Sequence, residues 1–407
     1  MAEATKAKAV PEAPVYTRDY IILFLANLLV FFAFYILLPI IPLYILSLGG
    51  TEGQVGLLIA VTGIATLIGS PFYGRAVDVW GRKRILLIGL VISSAVAASF
   101  VMVRNVIAFA FPLLMRSVGS SASQTASRTF VFDVTPAARR GEAISTFMMA
   151  PNLAIAFGPA VGVFLADGFG MTTPFLVTAV LCIVALLLVL LVKEPYRPAP
   201  AKAADKTASA PKKNGWFVRE AMYTTLVQIF LASSYGSTIQ FLSVLAKDRQ
   251  INNFQVFFTV YAVIVLSARF ITGRLSDKIG RAAVLLPAML LQAGAIFLLS
   301  VTHDLGSLLV VAVGMGLGWG TAYPTLTALT ADQVEPARRG AAMGIFSAGM
   351  ALGSSIGAAS VGWLAEAFGF TGAFIFTASM VLVGFVVAVI GLRAYGLLTL
   401  RPAIKAG

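Results

Sequence analysis

The chain has 407 residues, 59% of them hydrophobic and only 12% charged, and a mean hydropathy of +0.91 excludes a soluble globular protein. A formal net charge of +13 would suit a nucleic-acid binder if the basic residues formed one patch. They fall instead in separate short segments between apolar spans, so no nucleic-acid partner is expected.

Residues 1–19 read as a polar N-terminal tail. Apolar spans follow at 20–46, 54–76, 84–103, 106–131, 142–166 and 174–193. Each is close to the ~20 residues that cross roughly 30 Å of hydrocarbon as a helix. Residues 194–220 open with EPYRPAPAKAADKTASAPKKNG and lack apolar periodicity, the composition of a linker. Spans resume at 221–246, 254–275, 283–302, 306–331, 341–366 and 372–395, and residues 396–407 form a short C-terminal tail. The shorter alternating segments of a membrane barrel are absent. The expected fold class is therefore an all-α polytopic membrane protein of twelve transmembrane helices, with six-helix bundles at 20–193 and 221–395. The first span is too long for the apolar core of a cleaved leader, and no small-residue cleavage site follows it. Cys182, the single cysteine, lies inside a span, so no intrachain disulfide can form.

Lys and Arg cluster in every second loop and in both tails: at Arg82, Lys83 and Arg84, at Arg139 and Arg140, from Lys193 to Arg219, at Arg274, Lys278 and Arg281, and at Arg338 and Arg339. The alternate loops hold Arg104, Lys247 and Arg249. This asymmetry predicts a multi-pass protein of the cell membrane with both termini in the cytoplasm.

The two bundles repeat one another. GRAVDVWGRKRIL (74–86) returns as GRLSDKIGRAAVL (273–285), an offset of 273 − 74 = 199 that also carries Asp78 to Asp277 and Gly81 to Gly280. DVTPAARRGEA (133–143) returns as DQVEPARRGAA (332–342), again 332 − 133 = 199. A repeat this long is a duplicated domain rather than a solenoid unit.

Six spans, a linker and six more, in parallel repeat, match the architecture of major facilitator transporters. The loop GRAVDVWGRKRIL is similar to that superfamily's signature between helices 2 and 3. The resemblance covers the chain apart from tails and linker, and is greatest to the twelve-helix drug:proton antiporter branch. It implies a gating role for Gly74, Asp78, Gly81, Arg82 and Lys83, for Arg139 and Arg140, and for Gly273, Asp277, Gly280, Arg281 and Arg338. Asp78 would dock near the start of helix 11 in the other half, where a helix N-terminus favours a carboxylate. Asp277 would face the start of helix 5 near Glu142. Both Gly74 and Gly81 are expected to allow tight turns and close helix approach.

In helix 5, Gly158-Pro159-x-x-Gly162 resembles the superfamily's antiporter motif, which marks exporters; Ala154 departs from it. The expected partner for those small residues is helix 8. Generic small-residue packing would give the same pattern.

Helices 1, 4, 7 and 10 line the cavity in the family. On helix 4, Arg116 lies about 15 Å in from the span start, and Ser120 and Gln124 follow at four-residue spacing. An intramembrane cation costs several kcal/mol unless paired or wet, and no Asp or Glu lies deep in helices 1, 4, 7 or 10. Asn27 and Tyr35 on helix 1, Gln228 and Tyr235 on helix 7, and Trp319 and Tyr323 on helix 10 complete the substrate-binding candidates. Each aromatic fits helix packing equally well. A positive centre without an acid favours an anion, a zwitterion or a neutral polar solute.

No metal-ligand cluster, nucleophile triad or phosphate loop is present, so neither an enzyme nor a cofactor is expected beyond a proton gradient. The expected activity is export of a small amphipathic molecule by a monomer in the bilayer, through alternating access and proton antiport. An importer or uniporter on the same fold is the nearest alternative, and a transport-dead membrane sensor or scaffold the next.

Overall fold

The computed structural model describes residues 16–136, 139–194, 221–335 and 338–396, with a few further side chains left out. The linker at 195–220 and the outer parts of both tails lie outside the described residues.

The first half holds α1 (Arg18–Ile36), α2 (Ile40–Ser47), α3 (Glu52–Trp80), α4 (Arg82–Ser99), α5 (Val106–Val134), α6 (Arg140–Phe147), α7 (Met149–Phe169) and α8 (Thr173–Leu190). The second half holds α9 (Met222–Asp248), α10 (Val256–Ile279), α11 (Arg281–Val301), α12 (Leu305–Asp332) and α13 (Arg339–Ala394). Span 1 comprises α1 and α2, and span 5 comprises α6 and α7.

Among the described residues, ten helical stretches are long and apolar enough to cross a bilayer, and Val256–Phe270 adds a shorter one. The twelfth span is hidden in α13, where Gly369 breaks the helix (φ 73°, ψ 170°). Gly170, which ends α7 with φ 97°, is its counterpart in the first half, since 170 + 199 = 369.

Caps written in the sequence set the helix starts. Thr51 and Gln54 form a reciprocal capping box on α3. The Asn105 side chain accepts from the Ile107 amide at 2.8 Å. Asp304 caps α12, and the hydroxyl and amide of Ser307 hold its carboxyl below the usual carboxylate range. Large apolar side chains such as Leu57, Phe111, Phe164 and Phe270 cover the outer surface, which suits contact with lipid rather than water.

The repeated loops lie at one end of the bundle, here termed the basic end. Asp78 sits within the last turn of α3, and Asp277 within α10. This differs from an inter-helix loop because both helices run past the apolar limit. Gly74 also lies inside α3, and a methyl group in place of its hydrogen would meet nothing within 4 Å. It makes no turn. Gly81 and Gly280 do, at φ 94° and 96°, values that favour glycine. Arg82 Nε binds Asp133 at 2.7 Å, and Arg281 Nε binds Asp332 at 3.3 Å. With 82 + 199 = 281 and 133 + 199 = 332, the same ion pair ties both loops of each half.

Candidate functional site

A cavity of about 700 Å³ lies between the halves. It runs from Tyr35, Tyr235 and Tyr261 at depth to Met148, Ala331 and Met343 near the basic end. At the opposite end the halves are joined. The Gly53 amide donates to Glu366 Oε2 at 3.0 Å, and Lys247 Nζ lies 3.7 Å from Asp167. Ser243 Oγ donates to the Pro39 carbonyl at 3.0 Å, and Gly56 lets α3 approach the α13 backbone at Ala358 and Gly362. The cavity is therefore closed away from the basic loops.

Asp78 does not reach α13 here. Its side chain is 69% exposed, and it pairs at 3.6 Å with Arg82 of its own half. Glu142 is paired with Arg139 at 2.7 Å and accepts from Tyr16 at 3.1 Å, and the side chain of Asp277, its expected neighbour, lies outside the described ones. Lys83 caps the end of α8, donating to the carbonyls of Leu190 and Val192. Arg140 Nε donates to the Phe132 carbonyl. Gly273 lies within α10, and Arg338 occupies the residue before the first turn of α13 without a side-chain capping bond.

Four of the candidate binding residues meet in the cavity. Tyr235 stacks on Trp319 at 4.2 Å and 13°, and Trp319 on Tyr323 at 5.3 Å and 12°; Tyr35 faces them from the first half. The others lie elsewhere. Arg116 and Ser120 line a separate pocket of about 30 Å³ inside the first half, with Phe34, Thr178 and Cys182. Arg116 Nη2 donates to the Phe34 carbonyl at 3.2 Å, and its guanidinium lies 4.4 Å from the centroid of the Phe34 ring. Asn27 accepts from Ser127 Oγ within the first half. Gln228 is fully buried, and Gln124 is half-buried and lines none of these cavities.

Helix phase explains the separation. Each four-residue step on α5 turns 40° beyond a full rotation, so the stripe that begins at Arg116 has turned about 120° by Arg128. Arg128 is exposed.

Sequence reasoning passed over the cavity's own cation. Arg269 lies in α10, and its Nη1 donates to Asn152 Oδ1 on α7 at 2.8 Å, across the two halves. It lines the cavity with Tyr261, and no Asp or Glu is among the lining residues. The signal was available: a lone arginine inside the apolar run VIVLSARFITG is a functional candidate by default.

The packing of Gly158 and Gly162 also differs from expectation. Both face α1: a methyl at Gly158 would lie 2.7 Å from Tyr35 Cβ, and one at Gly162 would overlap the Ile36 carbonyl oxygen. Span 8 also packs on α7, through the Asn152 side chain and the Ala156 carbonyl. Pro159 lies inside α7. In the second half Gly357 packs on Ser233 of α9 in the same way, where 158 + 199 = 357.

A family model described as the Major Facilitator Superfamily matches residues 23–257 and 224–403. Multidrug resistance protein 2 of Bacillus subtilis is 24% identical over 360 residues, covering 85% of this chain and 89% of that protein. Among solved structures, the human organic anion transporter MFSD10 aligns with a TM-score of 0.65 at 19% identity, over 92% of this chain and all of that one. The nucleoside transporter NupG aligns at 0.77 with 14% identity, over 92% and 100% of the two chains.

Proposed function

The chain belongs to the major facilitator superfamily, and on that premise we propose that it exports a small amphipathic solute, anionic or zwitterionic, by alternating access in exchange for protons. One observation carries the reading: a cavity of about 700 Å³ between the halves is lined by aromatic rings and an arginine, with no Asp or Glu among its lining residues. A volume of about 700 Å³ suits a drug-sized molecule. The positive charge of Arg269 in the wall disfavours lipophilic cations.

Export is supported by the Gly158-Pro159-x-x-Gly162 motif and by curated relatives named for multidrug resistance. The positive-inside rule puts the basic end in the cytoplasm of a cell-membrane protein, so the cavity opens inward in this conformation. Asp78 would dock at the start of α13 when that end closes, as Glu366 docks on the start of α3 when the other end closes. Proton antiport is the coupling that the motif resemblance implies; no carboxylate in the cavity wall is assigned to it.

Everted membrane vesicles test the reading. With an acidified lumen, vesicles containing the protein should concentrate an amphipathic anion, and an uncoupler should release it. Accumulation only in right-side-out vesicles would replace export by import, and equilibration without concentration would leave a uniporter.

A further inference from the structure

The cavity wall contains two buried polar atoms without a partner among the described residues, Arg269 Nε and Tyr261 Oη. Leaving such groups unpaired is costly, and in a cavity wall the cost is removed when a ligand supplies the partner. Both side chains come from α10 and line the cavity. The charge of Arg269 reaches the hydroxyls of Tyr35, Tyr235 and Tyr261.

The guanidinium is held from the opposite half. Asn152 Oδ1 accepts from Nη1 at 2.8 Å, while Asn152 Nδ2 donates to the Met148 carbonyl at 2.8 Å. The amide is thus fixed at both ends, and it constrains one edge of the arginine while Nε stays unpaired. A planar fork with one free edge matches an oxyanion better than a point charge would. Beside it, the rings of Tyr235, Trp319 and Tyr323 form a face-to-face aromatic stack that lines the cavity. Met343 and Met350 also line the cavity, and their flexible thioethers can adjust to different ring outlines.

We propose that Arg269 is the anion subsite of this cavity and that its substrates are planar aromatic oxyanions, carboxylates or sulfonates. The head group binds the free edge of Arg269 and the ring packs against the Tyr235–Trp319–Tyr323 stack. Asn152 is a positioning residue. The assignment rests on reading the cavity as the transport site.

The test uses the full-length purified protein and three matched probes: 1-naphthoate, neutral 1-naphthamide and cationic 1-naphthylmethylammonium. Calorimetric titration should show naphthoate binding about tenfold or more tighter than either analogue, the effect of one charge-assisted contact. Arg269→Gln should erase that preference while retaining weak binding of the amide, and Arg269→Lys should keep part of it. Asn152→Ala should weaken naphthoate several-fold without changing naphthamide, a charge-dependent split that a purely structural role would not produce.

Equal affinity for naphthoate and naphthamide in the wild type would overturn the assignment, as would no naphthoate binding at millimolar concentration. So would a full preference surviving in Arg269→Gln. Should that variant fail to fold, Asn152→Ala decides: equal loss of both probes, or no loss, counts against the subsite. Counterflow of the same probes in proteoliposomes separates the two levels. Arg269-dependent binding without movement would refute transport and keep the subsite. Movement without charge preference would refute the subsite and keep transport.

Discussion

At the break between α1 and α2, the Phe34 carbonyl has lost its helical donor, because the Leu38 amide turns to Tyr35 at 3.3 Å. A free carbonyl inside a membrane span is costly, and Arg116 supplies the missing donor at 3.2 Å. Its midplane cation is thereby given a hydrogen bond and an aromatic face rather than an acid. Arg116→Gln retains an N–H for Phe34 and should melt within about 1 kcal/mol of wild type. Arg116→Leu strands the carbonyl and should lose about 1–3 kcal/mol. Thermal unfolding of the two variants in detergent checks this, and equal stability would remove the capping role. The depth of Arg116 was legible from sequence, because depth follows from residue count. Which way it faced was not, since 40° of drift per four residues separates it from Arg128 within the same helix.

The elements themselves were legible to within a few residues, because span length, capping side chains and the 199-residue offset are local properties of the sequence. Contacts between elements were harder to foresee. Gly158 and Gly162 were visible as a close-packing face, but small residues state only that a neighbour comes near, not which one. The structure puts α1 there, and the second half repeats the arrangement with Gly357 on α9. Gly162→Ala would push a methyl onto the Ile36 carbonyl and should destabilise by about 1–3 kcal/mol through overpacking. Gly168→Ala, later in the same helix and with nothing within 4 Å, should be neutral or slightly stabilising. If thermal unfolding finds the two variants alike, the α7–α1 contact is not as close as described.

For the whole molecule, the duplicated architecture was evident from the sequence, whereas the conformation was not. A sequence that alternates between two states encodes the contacts of both. The Asp78 and Asp277 segments were read as a closing device, yet in this conformation Asp78 remains with Arg82, while Glu366, Lys247 and Ser243 join the halves at the other end. The cavity's cation was likewise missed, because a count of loop charges passes over Arg269 inside its span. The cavity, the joined far end and an Asp78 held within its own half together describe one half of an alternating cycle. The most direct test uses paired spin labels in a Cys182→Ala background. One pair, Arg84→Cys with Lys278→Cys, spans the basic end; the other, Gly168→Cys with Asp248→Cys, spans the far end. On adding a transported solute under turnover, the basic-end distance should shorten while the far-end distance lengthens in the same preparation. Distances that stay fixed at both ends, or that lengthen together, would contradict alternating access.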